Sequence, residues 1–119
     1  MELTFYGYPK CGTCRKAEKW FSENKIGITY VNIKENPPSR EEITRFLDLS
    51  DRPIKKFFNT SGQKYRELGL KDKVESASRE ELIEWLASDG MLLKRPIVTD
   101  GEQVTVGFRE DIFNQVWAP

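Results

Sequence analysis

Histidine is absent from this 119-residue sequence, and cysteine occurs only twice. Without an imidazole there is no Cys–His catalysis of the protease kind. Two thiols alone also fall short of the four ligands of a structural zinc site, so no metal is expected. Net charge is missing as well: 19 basic residues balance 19 acidic ones. No global field then draws the chain to nucleic acid or to an anionic membrane. The 32% of charged residues reads as a solvated surface of mixed sign. No apolar run approaches the roughly 20 residues of a membrane span. The chain enters a strand-like segment at once, so no signal or transit peptide is expected. Neither a repeat nor a Gly/Ser-rich linker divides a length that suits one domain with one core.

What the sequence does have is concentrated at Cys11-Gly12-Thr13-Cys14. Two cysteines placed at random in such a chain would fall three apart only about 2% of the time, so the spacing is informative. In a reducing cytosol, the expected compartment, a lone pair serves catalysis, redox sensing or metal binding more often than structure. Strand-like Leu3-Thr4-Phe5-Tyr6 precedes the pair and a helix-like run follows it. Thiolate rather than thiol attacks disulfides and oxidants, so a working cysteine needs its pKa lowered from ~8.5 into a range of roughly 3.5–7.5. If the helix starts at Gly12, the Cys11 sulfur lies at the positive end of the helix dipole, beside unpaired amides. Lys10, Arg15 and Lys16 add positive charge nearby. Cys14 falls one turn further in, placed to resolve a mixed disulfide formed on Cys11. Cys11 is therefore the expected nucleophile and Cys14 the expected resolver. The alternative is an inert Cys14 that packs as a small hydrophobe.

Along the chain, strands and helices alternate. Residues Glu2 to Tyr6 read as a strand. From Gly12 to about Asn24, Cys14, Ala17, Trp20 and Phe21 recur at helical spacing. Ile28 to Ile33 is β-branched and aromatic, a second strand bounded by Gly27 and by Asn36-Pro37-Pro38. This is a βαβ unit, whose strands should be parallel. Two capping boxes, Ser39-Arg40-Glu41-Glu42 and Ser78-Arg79-Glu80-Glu81, open further helices. Between them, Ile54 to Phe58 suggests a short helical piece, and Tyr65 to Leu70 a brief helix ended by Gly69. Pro96 to Thr99 and Gln103 to Val106 flank Asp100-Gly101, a hairpin signal because both residues tolerate positive φ. A closing helix is expected from about Glu110 to Trp117. The order βαβ, helices, ββα, with Cys-x-x-Cys after the first strand, matches a thioredoxin-like α/β fold with a helical insertion. In that topology Pro96 begins the strand beside the active-site loop, and a cis Arg95–Pro96 bond is expected. Arg95 would then project towards the thiols and offer a planar fork to an oxyanion; the alternative is a surface arginine in a salt bridge.

Four stretches carry a resemblance. Tyr8-Pro9-Lys10-Cys11-Gly12-Thr13-Cys14-Arg15-Lys16-Ala17, Tyr65-Arg66-Glu67-Leu68-Gly69-Leu70, Arg95-Pro96-Ile97-Val98 and Val106-Gly107-Phe108 resemble the ArsC/Spx family, essentially end to end. That family contains glutaredoxin-type arsenate reductases and the Spx regulators that bind RNA polymerase. The arsenate reductase nucleophile matches Cys11, and one of three oxyanion-binding arginines matches Arg95. The second falls at about Asn59 and the third at about Phe108, with Arg109 adjacent. Gly12, Thr13 and Pro96 complete the substrate-binding set that the resemblance implies, with Arg15, Asn59 and Arg109 as further candidates. The Spx branch shares the Cys-x-x-Cys followed by Arg15-Lys16-Ala17, but Pro53 stands where its members carry a glycine, and Thr60-Ser61-Gly62 where they carry Thr-Arg-Ser.

The resemblance implies a bacterial, arsenate reductase-like thiol–disulfide oxidoreductase acting on a small oxyanion or a protein disulfide. It would need no cofactor of its own, only an external thiol such as glutathione with glutaredoxin, or thioredoxin. The alternative is an Spx-like redox-sensing regulator that binds RNA polymerase. In both cases one ArsC/Spx-type domain spanning 1–119, with its helical insertion at about 39–90, is expected as a cytoplasmic monomer.

Overall fold

The computed structural model describes residues 2–119, which divide into two units, one of residues 2–32 and 95–119 and the other of residues 33–94. The first unit is built on strand β1, Leu3–Gly7, whose Leu3 and Phe5 are buried. Helix α1, Gly12–Glu23, follows and turns Cys14, Ala17, Trp20 and Phe21 inward, the face that its apolar spacing demands. It stops in a Schellman arrangement, with Lys25 in the left-handed region (φ 57°) and the Ile26 N–H on the Phe21 carbonyl. Ile26 then packs on the core. Strand β2, Ile28–Asn32, pairs parallel with β1 in a register that sets Leu3 beside Ile28 and Gly7 beside Asn32.

Strands β3, Ile97–Thr99, and β4, Val104–Val106, form the expected hairpin. β3 pairs antiparallel with β1, which gives the order β2-β1-β3-β4. The turn differs in detail from its sequence signal. Only Gly101 takes positive φ (94°), while the Asp100 carboxylate accepts the Glu102 and Gln103 amides, both at 2.8 Å. Helix α2, Arg40–Leu49, and the three helices that follow it belong to the second unit. The closing helix α6, Glu110–Val116, returns to the first. Phe113 and Trp117 join Phe5, Trp20, Phe21 and Val98 in one cluster. Both indole N–H groups of this cluster are satisfied: Trp20 donates to Asn114 Oδ1 at 3.1 Å and Trp117 to Thr105 Oγ1 at 3.0 Å. A βαβ unit followed by an antiparallel ββα, with α1 and α6 on one core, is a thioredoxin-like α/β fold.

In the second unit both expected capping boxes are made. Ser39 caps α2 with Glu42 reaching back, and Ser78 caps α5, Arg79–Ser88, with Glu81 reaching back. Arg40–Glu84 at 3.4 Å and Arg79–Asp48 at 3.0 Å link the pair, but both are exposed and add little stability. The segment read as one brief helix is two: α3, Gln63–Glu67, and α4, Leu70–Val74. Gly69 sits between them at φ 63°, so the glycine makes a corner rather than an end, and Leu70 and Val74 are buried beyond it. Single 3₁₀ turns occupy Ile54–Phe57 and Gly90–Leu92. Among the described residues, no helix is long and apolar enough to cross a membrane.

Gly90 meets the backbone of Ile33 so closely that an added Cβ would overlap the Ile33 carbonyl oxygen, whereas one added at Gly27 would meet nothing. Gly90→Ala is therefore expected to destabilise by about 1–3 kcal/mol. Gly27→Ala should stay within about 0.5 kcal/mol of the parent. Urea unfolding midpoints of the two variants test the contrast.

Candidate active site

The site is assembled where β1 ends. Gly7 closes the strand because a Cβ there would lie 2.6 Å from a Phe5 ring carbon. The chain then loops through Tyr8-Pro9-Lys10, and the Cys11 N–H donates to the Tyr8 carbonyl at 3.0 Å. Cys11 is the N-cap of α1, with extended backbone (φ −91°, ψ 115°), and its sulfur accepts the Cys14 N–H at 3.4 Å. Sulfur here does what a serine or aspartate oxygen does at other helix starts. Helices α2, α5 and α6 each carry two acids in the first turn, but α1 carries none. The positive end of its dipole is thus left for the cysteine.

The two sulfurs are both free thiols and differ sharply in surroundings. Cys11 is half-buried and Cys14 fully buried. Burial pushes the Cys11 thiol up, but hydrogen bonds from the Cys14 side chain and amide, then one from Arg95 and its charge, outweigh it and leave the pKa below the usual 9.0. Cys14 goes the other way, to about 12, through burial first and then its hydrogen bond to Cys11 and the Cys11 charge. The thiols are therefore an acid–base pair in which Cys11 ionises first and Cys14 keeps its proton.

Arg95 precedes a cis peptide bond to Pro96, as expected, and it is the cation that hydrogen-bonds to Cys11. Its guanidinium carbon lies 5.8 Å from the centre of the Tyr8 ring. Gly12 and Thr13 are exposed on the first turn, and no protein atom lies within 4 Å of where a Gly12 Cβ would be. Arg15 is exposed, one turn beyond Cys11, and its amide donates to the Cys11 carbonyl at 3.2 Å. Arg109 occupies the N-cap position of α6 without a side-chain capping bond, and pairs with Asp111 at 3.3 Å. Phe108 packs edge-on against Phe113, 4.7 Å between centres, which makes it a core contact. Asn59 belongs to the second unit, where its amide donates to Leu92 and its side chain accepts from Ser61.

Two tyrosines were not singled out for the site by sequence reasoning. Tyr8 lay within the quoted motif, but only the folded loop puts its ring beneath Arg95. Tyr30, on β2, stacks on Phe5 with centres 5.5 Å apart and is 36% exposed. Its hydroxyl is pushed up to about 12 by burial, then by the charges of Glu18, Cys14 and Cys11. Nothing in the strand pattern could have marked it, because an exposed tyrosine on a β-strand is ordinary. Among the described residues, no three Cys, Asp or Glu side chains converge as metal ligands.

Residues 6–116 match the model of the ArsC family. Among curated proteins, the chain is 59% identical to the uncharacterized protein YusI of Bacillus subtilis (strain 168) over 118 residues, covering 99% of this chain and 100% of that one. It is 32% identical to the regulatory protein MgsR of the same strain over 107 residues, covering 90% of this chain and 83% of MgsR. Among solved structures, a possible arsenate reductase from Streptococcus mutans UA159 superimposes with a TM-score of 0.85 at 46% identity, covering 92% of this chain and 96% of that one.

The contrast between the thiols is directly measurable. Iodoacetamide at neutral pH should alkylate Cys11 and spare Cys14, as read by peptide mass spectrometry. Because the Cys11 pKa is lowered, its alkylation rate should rise through a midpoint below 9.0. Arg95→Ala should move that midpoint upward, since it removes both a donor and a positive charge from the thiolate.

Proposed function

The chain belongs to the ArsC family, and from that premise we propose that it is a thiol–disulfide oxidoreductase. Cys11 is the nucleophile and Cys14 the resolving cysteine. The observation that carries this reading is the opposite displacement of the two thiols, one lowered at the helix N-cap, the other raised in the core. The Cys11 thiolate attacks a substrate disulfide, forms a mixed disulfide and expels the first substrate sulfur as a thiolate. The Cys14 sulfur then attacks Cys11, closing a Cys11–Cys14 disulfide. The second substrate sulfur leaves and takes the Cys14 proton. Two electrons have passed from the protein to the substrate. An external thiol, glutathione with glutaredoxin or thioredoxin, returns them in the cytoplasm.

In this reading Arg95, Gly12 and Thr13 receive the substrate at Cys11, whether a disulfide or a small oxyanion. The binding of a doubly charged oxyanion is nonetheless limited. Asn59 and Phe108 stand at two of the three arginine positions implied by the family resemblance, and Phe108 packs, half-buried, against the core. Each missing charged hydrogen bond is worth about 1.5–3 kcal/mol. Arsenate is accordingly the weaker substrate and disulfides the better one.

The likeness to MgsR supports a second reading, a redox-sensing regulator that uses the same Cys11–Cys14 chemistry as a switch on RNA polymerase. The two separate by turnover. Purified protein with either reductant should reduce a peptide disulfide catalytically, and Cys11→Ser should abolish this. Cys14→Ser should instead accumulate a one-to-one mixed disulfide visible by mass. Absence of turnover in protein whose thiols still cycle, together with retention of RNA polymerase on the immobilised chain, would establish the regulator instead.

A further inference from the structure

Tyr8 touches each of the three reactive elements. Its carbonyl accepts the Cys11 N–H at 3.0 Å, its backbone hydrogen-bonds to the Cys14 sulfur, and its ring faces the Arg95 guanidinium at 5.8 Å. The first two contacts use the main chain and would survive any side chain. The third depends on an aromatic ring. Arg95 in turn hydrogen-bonds to the Cys11 sulfur. A long, flexible arginine near an ion pairs with it only for part of the time unless something holds its plane. A ring beneath the guanidinium supplies that restraint, because the face of an aromatic carries negative electrostatic potential.

We propose that the Tyr8 ring is a positioning residue that holds the Arg95 guanidinium against Cys11, and so sets how much of Cys11 is thiolate. The role rests on Cys11 being the nucleophile, but not on any particular substrate. Tyr8 acts only through Arg95. When a substrate sulfur or oxyanion arrives, the same restraint keeps the guanidinium at the reacting atom, where it meets the charge that leaves Cys11. The phenol hydroxyl has no part in this, so phenylalanine should serve as well as tyrosine.

The test is a titration of the Cys11 thiolate by its absorbance at 240 nm, in Cys14→Ala protein so that a single thiol is read. Tyr8→Leu, which keeps bulk and removes the π face, should raise the midpoint by about half a pH unit, equivalent to about threefold less thiolate below the midpoint. Tyr8→Phe should leave the midpoint in place. In an Arg95→Ala background, Tyr8→Leu should have no further effect. An unchanged midpoint in Tyr8→Leu would overturn the proposal, as would a Tyr8→Phe shift equal to that of Tyr8→Leu. A Tyr8→Leu shift that persists without Arg95 would also overturn it, since the ring would then act through the loop backbone. The titration needs no substrate. A chain inactive in disulfide reduction but behaving as described would thus refute the oxidoreductase reading and keep the tyrosine's role.

Discussion

Everything reactive in this molecule depends on the rotation of α1 about its own axis. Cys11 and Cys14 are three residues apart on one turn, so a single rotation decides which sulfur meets solvent and which meets the core. Trp20, Phe21 and Ala17 settle it, because their side chains are almost wholly buried against Phe5, Phe113 and Val98. With that face inward, Cys14 is carried inside and Cys11 is left at the helix mouth. The Cys14 amide then points at the Cys11 sulfur, and the same amide that an ordinary helix would cap with a hydroxyl stabilises a thiolate. Core packing thus decides which thiol is buried and which can ionise, and the Arg95 guanidinium adds to the lowering at Cys11.

Charge is distributed with the same economy. Helices α2, α5 and α6 place glutamates or aspartates over their first turns, which is the locally favourable choice. α1 departs from that pattern and follows Cys11 with Gly, Thr, Cys, Arg and Lys. That departure falls at the helix start that carries the two thiols, where stability yields to chemistry. Arg95 supplies the one guanidinium bonded to the sulfur, while Arg109 is engaged with Asp111.

The chain is similar to a possible arsenate reductase on one side and to the regulatory protein MgsR on the other, and Cys11 is its thiol that ionises first. What surrounds that thiol decides which use is made of it, since one fold hosts several functions through the residues grafted on it.

Much of the architecture was legible because it is written in local periodicity. The alternation of strands and helices, both capping boxes, the hairpin and the N-terminal position of Cys11 each depend on residues within about one or two turns of each other. Gly69 misled for the opposite reason. A glycine after a short helical run reads as a stop, yet whether the chain ends there or turns a corner depends on burial of Leu70 and Val74 beyond it. The sequence by itself determined the thioredoxin-like order of elements, the dithiol at a helix start and the proline after Arg95. Only the tertiary structure decided that Phe108 packs against the core, that Arg109 pairs with Asp111, and that Tyr8 lies under Arg95. Position 95 is distant in sequence from position 8, and their meeting follows from β3 pairing with β1, a long-range contact that no local pattern encodes.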